Sequence, residues 1–291
     1  MLEATPLVSS PIAPNCSLKL ETFQPTGSFK IRGALAAISA LARDRHAVTA
    51  SAGNHGLGVA WAAARLGRTA TVVVPEHSSA AKVSALRTYP IELVERGADY
   101  DAAEKYALEL ATAEGASFIS PYNDPTVIAG QATIGRELEG QAPGELTVVA
   151  PVGGGGLLSG LSLWSSSRPE VRIAGVESSE SRAVSAAVAV GHIVAVPMGA
   201  TIADGLSGNL EPGSVTPGLV ARAQLVAVDD DELRHAMRWL FANHGLVTES
   251  SGAAGIAAVL AGKVDMSGQL VVVVTGRNIA ADRYAEILRR S

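Results

Sequence analysis

From Val48 onward, short β-branched runs alternate with longer stretches whose apolar residues recur at three- and four-residue spacing, and glycine, proline or serine separates them. The pattern predicts strands at Ala70–Val74, Ile91–Val94, Leu146–Ala150, Val171–Val176, Leu225–Val228 and Leu270–Val274, after a short one ending at Ala50. It predicts helices at Ile31–Leu41, Gly56–Arg65, Tyr100–Thr112, Asp230–Asn243 and Ser251–Leu260. Mostly apolar strands are those that helices cover on both faces, so the expected fold class is α/β, with open, mostly parallel sheets. No repeat of fixed period and no low-complexity linker interrupts the chain. Borders drawn near Arg45 and Pro121 divide it into a large domain, residues 1–45 and 122–291, and a small one, residues 46–121.

A length of 291 residues with 47% hydrophobic content suffices for one large or two medium cores. With 23 basic and 28 acidic residues, a net charge of -5 and no basic block, neither a nucleic-acid surface nor an anionic membrane is expected as partner. Small polar ligands remain. Cys16, the single cysteine, excludes an intramolecular disulfide and a thiolate metal cluster, and fits a reducing, cytoplasmic setting. The opening Met1-Leu2-Glu3-Ala4-Thr5-Pro6 has no basic region followed by an apolar core, and no stretch approaches a membrane span, so a soluble protein without an export signal is expected.

In open parallel sheets ligands collect beyond the carboxyl ends of the strands, so the loops that leave the strands carry the candidate chemistry. The run Pro151-Val152-Gly153-Gly154-Gly155-Gly156-Leu157 follows a strand and opens a helix. Free of Cβ atoms, its N–H groups can converge on a phosphate at the helix N-terminus. The Gly-Lys-Ser/Thr ending of a P-loop is missing, and a turn that needs positive φ is the plainer alternative. Thr49-Ala50-Ser51-Ala52-Gly53-Asn54-His55-Gly56 also opens a helix; its N–H groups suit a carboxylate and the Asn54 amide suits a ring oxygen. Ser51 or Asn54 as a helix cap, with His55 on the surface, accounts for the same residues. At the end of Val271–Val274, Thr275 either caps a helix from Ile279 or turns a neutral hydroxyl to a pyridine nitrogen. Asp204 and Glu249 offer carboxylates, each also readable as a cap or turn residue. Lys30, in Pro25-Thr26-Gly27-Ser28-Phe29-Lys30-Ile31-Arg32-Gly33, reads as a solvated lysine in a first helical turn or as the amine that anchors a cofactor aldehyde in a Schiff base.

Taken in order, Lys30 in PTGSFKIRGA, Asn54 in SAGNHG, the tetraglycine GGGGLLSG and the terminal TGRN make the chain resemble the fold-type II pyridoxal-phosphate enzymes, and within them the serine/threonine dehydratases of the tryptophan synthase β superfamily. Four ordered motifs from about Thr5 to the last strand carry the resemblance. It implies two α/β/α sheet domains with pyridoxal 5'-phosphate in the cleft between them. The large domain would bind the cofactor and the small one would carry the asparagine loop. By the same resemblance Lys30 forms the Schiff base, Phe29 packs beside the ring, Asn54 bonds the ring oxygen, Gly153, Gly154, Gly155, Gly156 and Leu157 hold the phosphate, and Thr275 faces the pyridine nitrogen. Ser51, Ala52, Gly53, Asn54 and His55 would cradle the substrate carboxylate, with Asp204, Gly205 and Glu249 near the cofactor. A homodimer is implied as well.

Departures from relatives narrow the reaction. Racemases of this group carry a serine acid/base where Ala52 stands, and an alanine cannot move a proton. Sulfhydrylases and threonine synthases usually have Lys-Asp-Arg and Gly-Asn-Thr where this chain has Lys30-Ile31-Arg32 and Gly53-Asn54-His55. Some relatives bind a divalent cation through a glutamate and an aspartate, but only Glu177 is present and Ala183 stands at the second place, so no metal is expected. The chain stops soon after the last predicted strand, so no regulatory domain and no feedback control are expected. The resemblance therefore implies an ammonia-lyase that removes water and ammonia from L-threonine or L-serine. A racemase/dehydratase, a β-replacement synthase and a non-catalytic cofactor-binding relative stand as alternatives.

Overall fold

The computed structural model describes residues 2–266 and 268–289. In chain order the elements are β1 (Leu7–Ser10), β2 (Cys16–Leu20), α1 (Lys30–Ala40), β3 (Ala47–Ala50), α2 (Asn54–Leu66), β4 (Ala70–Val74), α3 (Ala80–Leu86), β5 (Glu92–Glu95), α4 (Tyr100–Ala113), β6 (Ser117–Phe118), α5 (Pro125–Gln131) and α6 (Thr133–Gln141). There follow β7 (Leu146–Pro151), α7 (Gly156–Ser165), β8 (Val171–Ser178), α8 (Ala183–Val190), α9 (Thr216–Val220), β9 (Gln224–Val228), α10 (Asp230–His244), α11 (Ala254–Leu260), β10 (Gln269–Val274) and α12 (Ala281–Arg289). Every predicted strand and helix is present to within a few residues at its ends. The helix expected from Ile279 begins at Ala281, and that expected from Ser251 opens with a short 3-10 turn over Ser251–Ala253.

Two compact units form, Met1–Phe23 with Ala132–Ser291, and Gln24–Gln131. These borders differ from those drawn on sequence at Arg45 and Pro121. The reason is packing: α1 and α5 both belong to the second unit, where α1 lies against α2 and α5. Small residues allow the approach. A Cβ on Gly130 of α5 would stand 2.6 Å from the Arg32 carbonyl and 2.6 Å from the Gly33 Cα, and one on Gly58 of α2 would stand 3.2 Å from the Lys30 carbonyl.

The second unit has a four-stranded, wholly parallel sheet in the order β5-β4-β3-β6. Its chain runs outward from β3 to β4 to β5, then returns to place β6 on the other side of β3. The direction of winding therefore reverses between β3 and β6. In the first unit the six-stranded order is β1-β2-β10-β7-β8-β9, parallel except for the β1–β2 pair. Here β7, β8 and β9 run one way and β10 returns beside β7, so the reversal falls between β7 and β10. Loops part at such reversals and leave a crevice at the strands' carboxyl ends. Leu18, Val149, Val176, Val272 and Val274 are buried in one core of the first unit, and Val48, Ala50 and Val73 in one of the second.

Candidate functional site

In the second unit the reversal between β3 and β6 collects the lysine and the asparagine loop. Ser51, Ala52 and Gly53 leave β3, and α2 begins at Asn54 with Gly53 as its cap. The cap position is thus Gly53 rather than Ser51 or Asn54. The Ser51 hydroxyl instead accepts from the Gly53 N–H at 3.1 Å, closing the turn. The first N–H groups of this 13-residue helix have no intrahelical partner by geometry, which suits a carboxylate. His55 is not on the surface: its ring is 2% exposed, and Nε2 donates to the Ile119 carbonyl at 3.1 Å. Burial, and next the positive charge of Lys30, push its pKa down to about 3, against the opposing hydrogen bond to Ile119.

Lys30 is the first residue of α1 and is half-buried. Its amine donates to the Pro121 carbonyl at 2.7 Å and lies 5.4 Å from the centre of the Phe29 ring. The acceptor is an uncharged carbonyl three residues beyond β6. Backbone acceptors leave no trace in a sequence, since every residue carries one, and Pro121 was readable only as part of a loop.

In the first unit the reversal between β7 and β10 brings together the tetraglycine loop and Thr275. Gly155 has φ +88, and a Cβ there would meet the Thr216 side chain at 2.9 Å. A Cβ on Gly153 would stand 2.5 Å from the Gly205 carbonyl. Positive φ explains one glycine, and close approach explains another. The loop leads into the ten-residue α7, whose leading N–H groups Gly156 and Leu157 supply. Such a concave, Cβ-free run of amides at a helix N-terminus fits a phosphate dianion. Thr216, unmarked in the sequence, supports the loop by donating its hydroxyl to the Gly154 carbonyl at 2.7 Å. The Gly205 N–H donates to Ser251 Oγ at 3.0 Å, which joins the segments containing Asp204 and Glu249. Asp204 faces Arg283 at 3.5 Å, and the Glu249 N–H donates to the Gly276 carbonyl at 3.1 Å. Thr275 is 3% exposed at the end of β10, next to that carbonyl.

Glu177 is 1% exposed and serves α8 as an internal cap. Its carboxylate accepts from the Val184 N–H at 3.0 Å, the Ser185 N–H at 3.2 Å and the Ser185 hydroxyl. Burial raises its pKa, and those hydrogen bonds, with the charge of Arg182, oppose the rise. Among the described residues no cluster of three metal-ligating side chains occurs. No described helix is long and apolar enough to cross a membrane.

Comparison with known proteins identifies the family of the chain. Residues 2–276 match the family described as pyridoxal-phosphate dependent enzyme. The chain is 40% identical over 280 residues to the L-threonine ammonia-lyase of Thermotoga maritima, covering 94% of this chain and 69% of that one. Its fold is similar to that of the processed form of threonine deaminase isoform 2 from Solanum lycopersicum, with TM-score 0.92, 32% identity and coverage of 99% and 89% of the two chains. It is similar also to maize serine racemase, with TM-score 0.91, 32% identity and coverage of 98% and 91%. A family match over nearly all of its length makes this protein a member of the pyridoxal-phosphate dependent enzymes.

Proposed function

We propose that this protein is an ammonia-lyase acting on a hydroxy amino acid such as L-threonine or L-serine, with a 2-oxo acid and ammonia as products. The observation that carries the reading is the Lys30 amine, half-buried and held on the Pro121 carbonyl where the second unit's sheet reverses. Likeness to the threonine ammonia-lyase of Thermotoga maritima supports the reaction class.

Pyridoxal phosphate, when bound, withdraws electrons from the substrate α-carbon and so acidifies its proton. With the cofactor bound, Lys30 would anchor it, and its neutral amine would take the α-proton. The N–H groups of Ser51 to His55 would bind the substrate carboxylate at the start of α2, and the Asn54 amide would bond the ring oxygen. Gly153, Gly154, Gly155, Gly156 and Leu157 would hold the phosphate, with Asp204, Gly205 and Glu249 near the cofactor. Thr275 would offer the ring nitrogen a hydroxyl rather than a charge, which would limit electron withdrawal and favour prompt loss of the β-hydroxyl. Ala52 brings no proton to the face opposite the lysine, so inversion at Cα is disfavoured.

A racemase/dehydratase is the second reading, favoured by the likeness to maize serine racemase. Ammonia and 2-oxo acid release across a panel of β-hydroxy amino acids, with enantiomer analysis of residual serine, tests both. Release without D-serine is expected. D-serine at a rate comparable to ammonia release overturns the assignment, and failure to release ammonia from any member refutes it. A cytoplasmic homodimer completes the proposal; light scattering at monomer mass would refute the dimer.

A further inference from the structure

The Ile119 carbonyl receives two side-chain donors, Thr49 Oγ1 at 2.9 Å and His55 Nε2 at 3.1 Å. A carbonyl only accepts, so Nε2 carries the proton and Nδ1 is the lone-pair nitrogen. Nδ1 is buried and has no hydrogen-bond partner, which leaves the ring without an acceptor that would stabilise its cation. Two residues beyond Ile119, the Pro121 carbonyl receives the Lys30 amine. A single stretch leaving β6 therefore anchors both the imidazole and the lysine.

A histidine that gained its proton near neutrality would set a second cation beside the reacting amine. The two titrations would then couple, and the lysine would have no single proton affinity. The elements packed against α2 are α1, α3, β3 and β4. Their charged groups are Lys30 and Arg32 on α1 and Lys82 on α3; β3 and β4 carry none, and the stretch after β6 adds Tyr122 and Asp124. Only Lys30 among them acts on the proton affinity of the ring, and it acts in the same direction as burial.

We propose that His55 is a positioning residue for Lys30: a permanently neutral donor that, with Thr49, fills both acceptor positions of the Ile119 carbonyl, steadies the stretch whose Pro121 carbonyl receives the amine, and leaves Lys30 to titrate without a second cation beside it. The inference rests on the reading of Lys30 as the reacting amine. It concerns the imidazole side chain, not the backbone N–H of the carboxylate loop.

The test uses cofactor-free protein. Modification of Lys30 by trinitrobenzenesulfonate is followed against pH by peptide mass, and the His55 ring is followed by nitrogen NMR. The wild-type lysine is expected to show one ionisation, with the ring neutral and protonated at Nε2 from pH 8 to pH 5. His55→Gln keeps an N–H donor and keeps the lysine profile. His55→Leu, folded by circular dichroism, leaves the Ile119 carbonyl dipole uncompensated, which favours positive charge nearby and moves the profile up by about one pH unit. A ring that titrates between pH 5 and pH 8, or a His55→Leu profile equal to wild type, overturns the proposal. If His55→Leu does not fold, Thr49→Val removes the other donor from the same carbonyl and the same shift is required of it. No substrate turns over in this experiment, so its failure leaves the ammonia-lyase reading standing, and absent ammonia release leaves this one standing.

Discussion

The amine of Lys30 donates to the carbonyl of Pro121 at 2.7 Å, across a separation of 91 residues. The contact joins the first turn of α1 to the stretch after β6, and it sets the Lys30 amine at the carboxyl edge of the parallel sheet. On the proposed roles, Lys30→Ala removes both the cofactor anchor and the base. Loss of ammonia release by about 10³-fold or more is expected, from the usual worth of a positioned proton acceptor plus the loss of covalent attachment. Purified protein should also lose its visible absorbance after addition of pyridoxal phosphate. Retained turnover in Lys30→Ala would place the base elsewhere.

Thr275 supplies a neutral hydroxyl at the end of β10, 3% exposed. Thr275→Asp brings a negative charge that favours a protonated ring and stronger electron withdrawal. Ammonia release should slow and exchange of the α-proton with solvent deuterium should rise relative to it, as read by mass spectrometry of unreacted substrate. Unchanged rate and unchanged partitioning would remove this role from Thr275.

Stability should fall in mild acid because of His55. Its folded pKa, about 3, lies below the ordinary histidine value of 6.5. Above pH 6.5 the ring is neutral in both states and its contribution is fully present. As pH falls toward 3, the unfolded chain takes a proton that the folded chain refuses, so stability drops by up to about 1.4 kcal/mol per pH unit. Urea unfolding at pH 7 and pH 5 should show a decrease about 2 kcal/mol larger in wild type than in His55→Gln. Equal decreases would mean that His55 accepts its proton in the native state.

Gly130 and Gly140 separate packing from conformational entropy. A Cβ on Gly130 meets backbone at 2.6 Å, so Gly130→Ala forces α1 and α5 apart and should cost about 1–3 kcal/mol. Nothing lies within 4 Å of a Cβ on Gly140 in α6, and Gly140→Ala should stabilise by about 0.5–1 kcal/mol. Denaturant midpoints check the pair, and like signs for the two substitutions would contradict the close approach of α5 to α1.

One strand shows why part of the fold escaped the hydrophobic pattern. β2 contains Lys19, a polar residue in a run too short to read as a buried strand, yet its side chain is 0% exposed. The amine is satisfied by Glu137 at 2.5 Å, Gln141 Oε1 at 2.7 Å and the Thr5 carbonyl at 2.8 Å. Those partners come from α6 and the N-terminal segment, and only their arrival makes burial of a charge tolerable. The burial of His55, against the alternative of a surface position, was hidden for the same kind of reason. Nothing local distinguishes a surface histidine from one whose Nε2–H reaches a carbonyl 64 residues away.

Alternation of apolar runs and helical spacing was enough to determine a parallel α/β protein, the positions of its central strands and the loops that carry its candidate chemistry, because periodicity and the demand for glycine are local properties. The four ordered motifs were enough to name the cofactor. Only the tertiary structure decided the strand orders that place Lys30 and Asn54 at one sheet reversal and the tetraglycine loop and Thr275 at the other. It also decided that α1 belongs with α2 and α5, and that the acceptors of Lys30 and His55 are the carbonyls of Pro121 and Ile119. Strand order arises from pairing between distant segments, and a carbonyl becomes a specific partner only when folding sets it within reach of a donor.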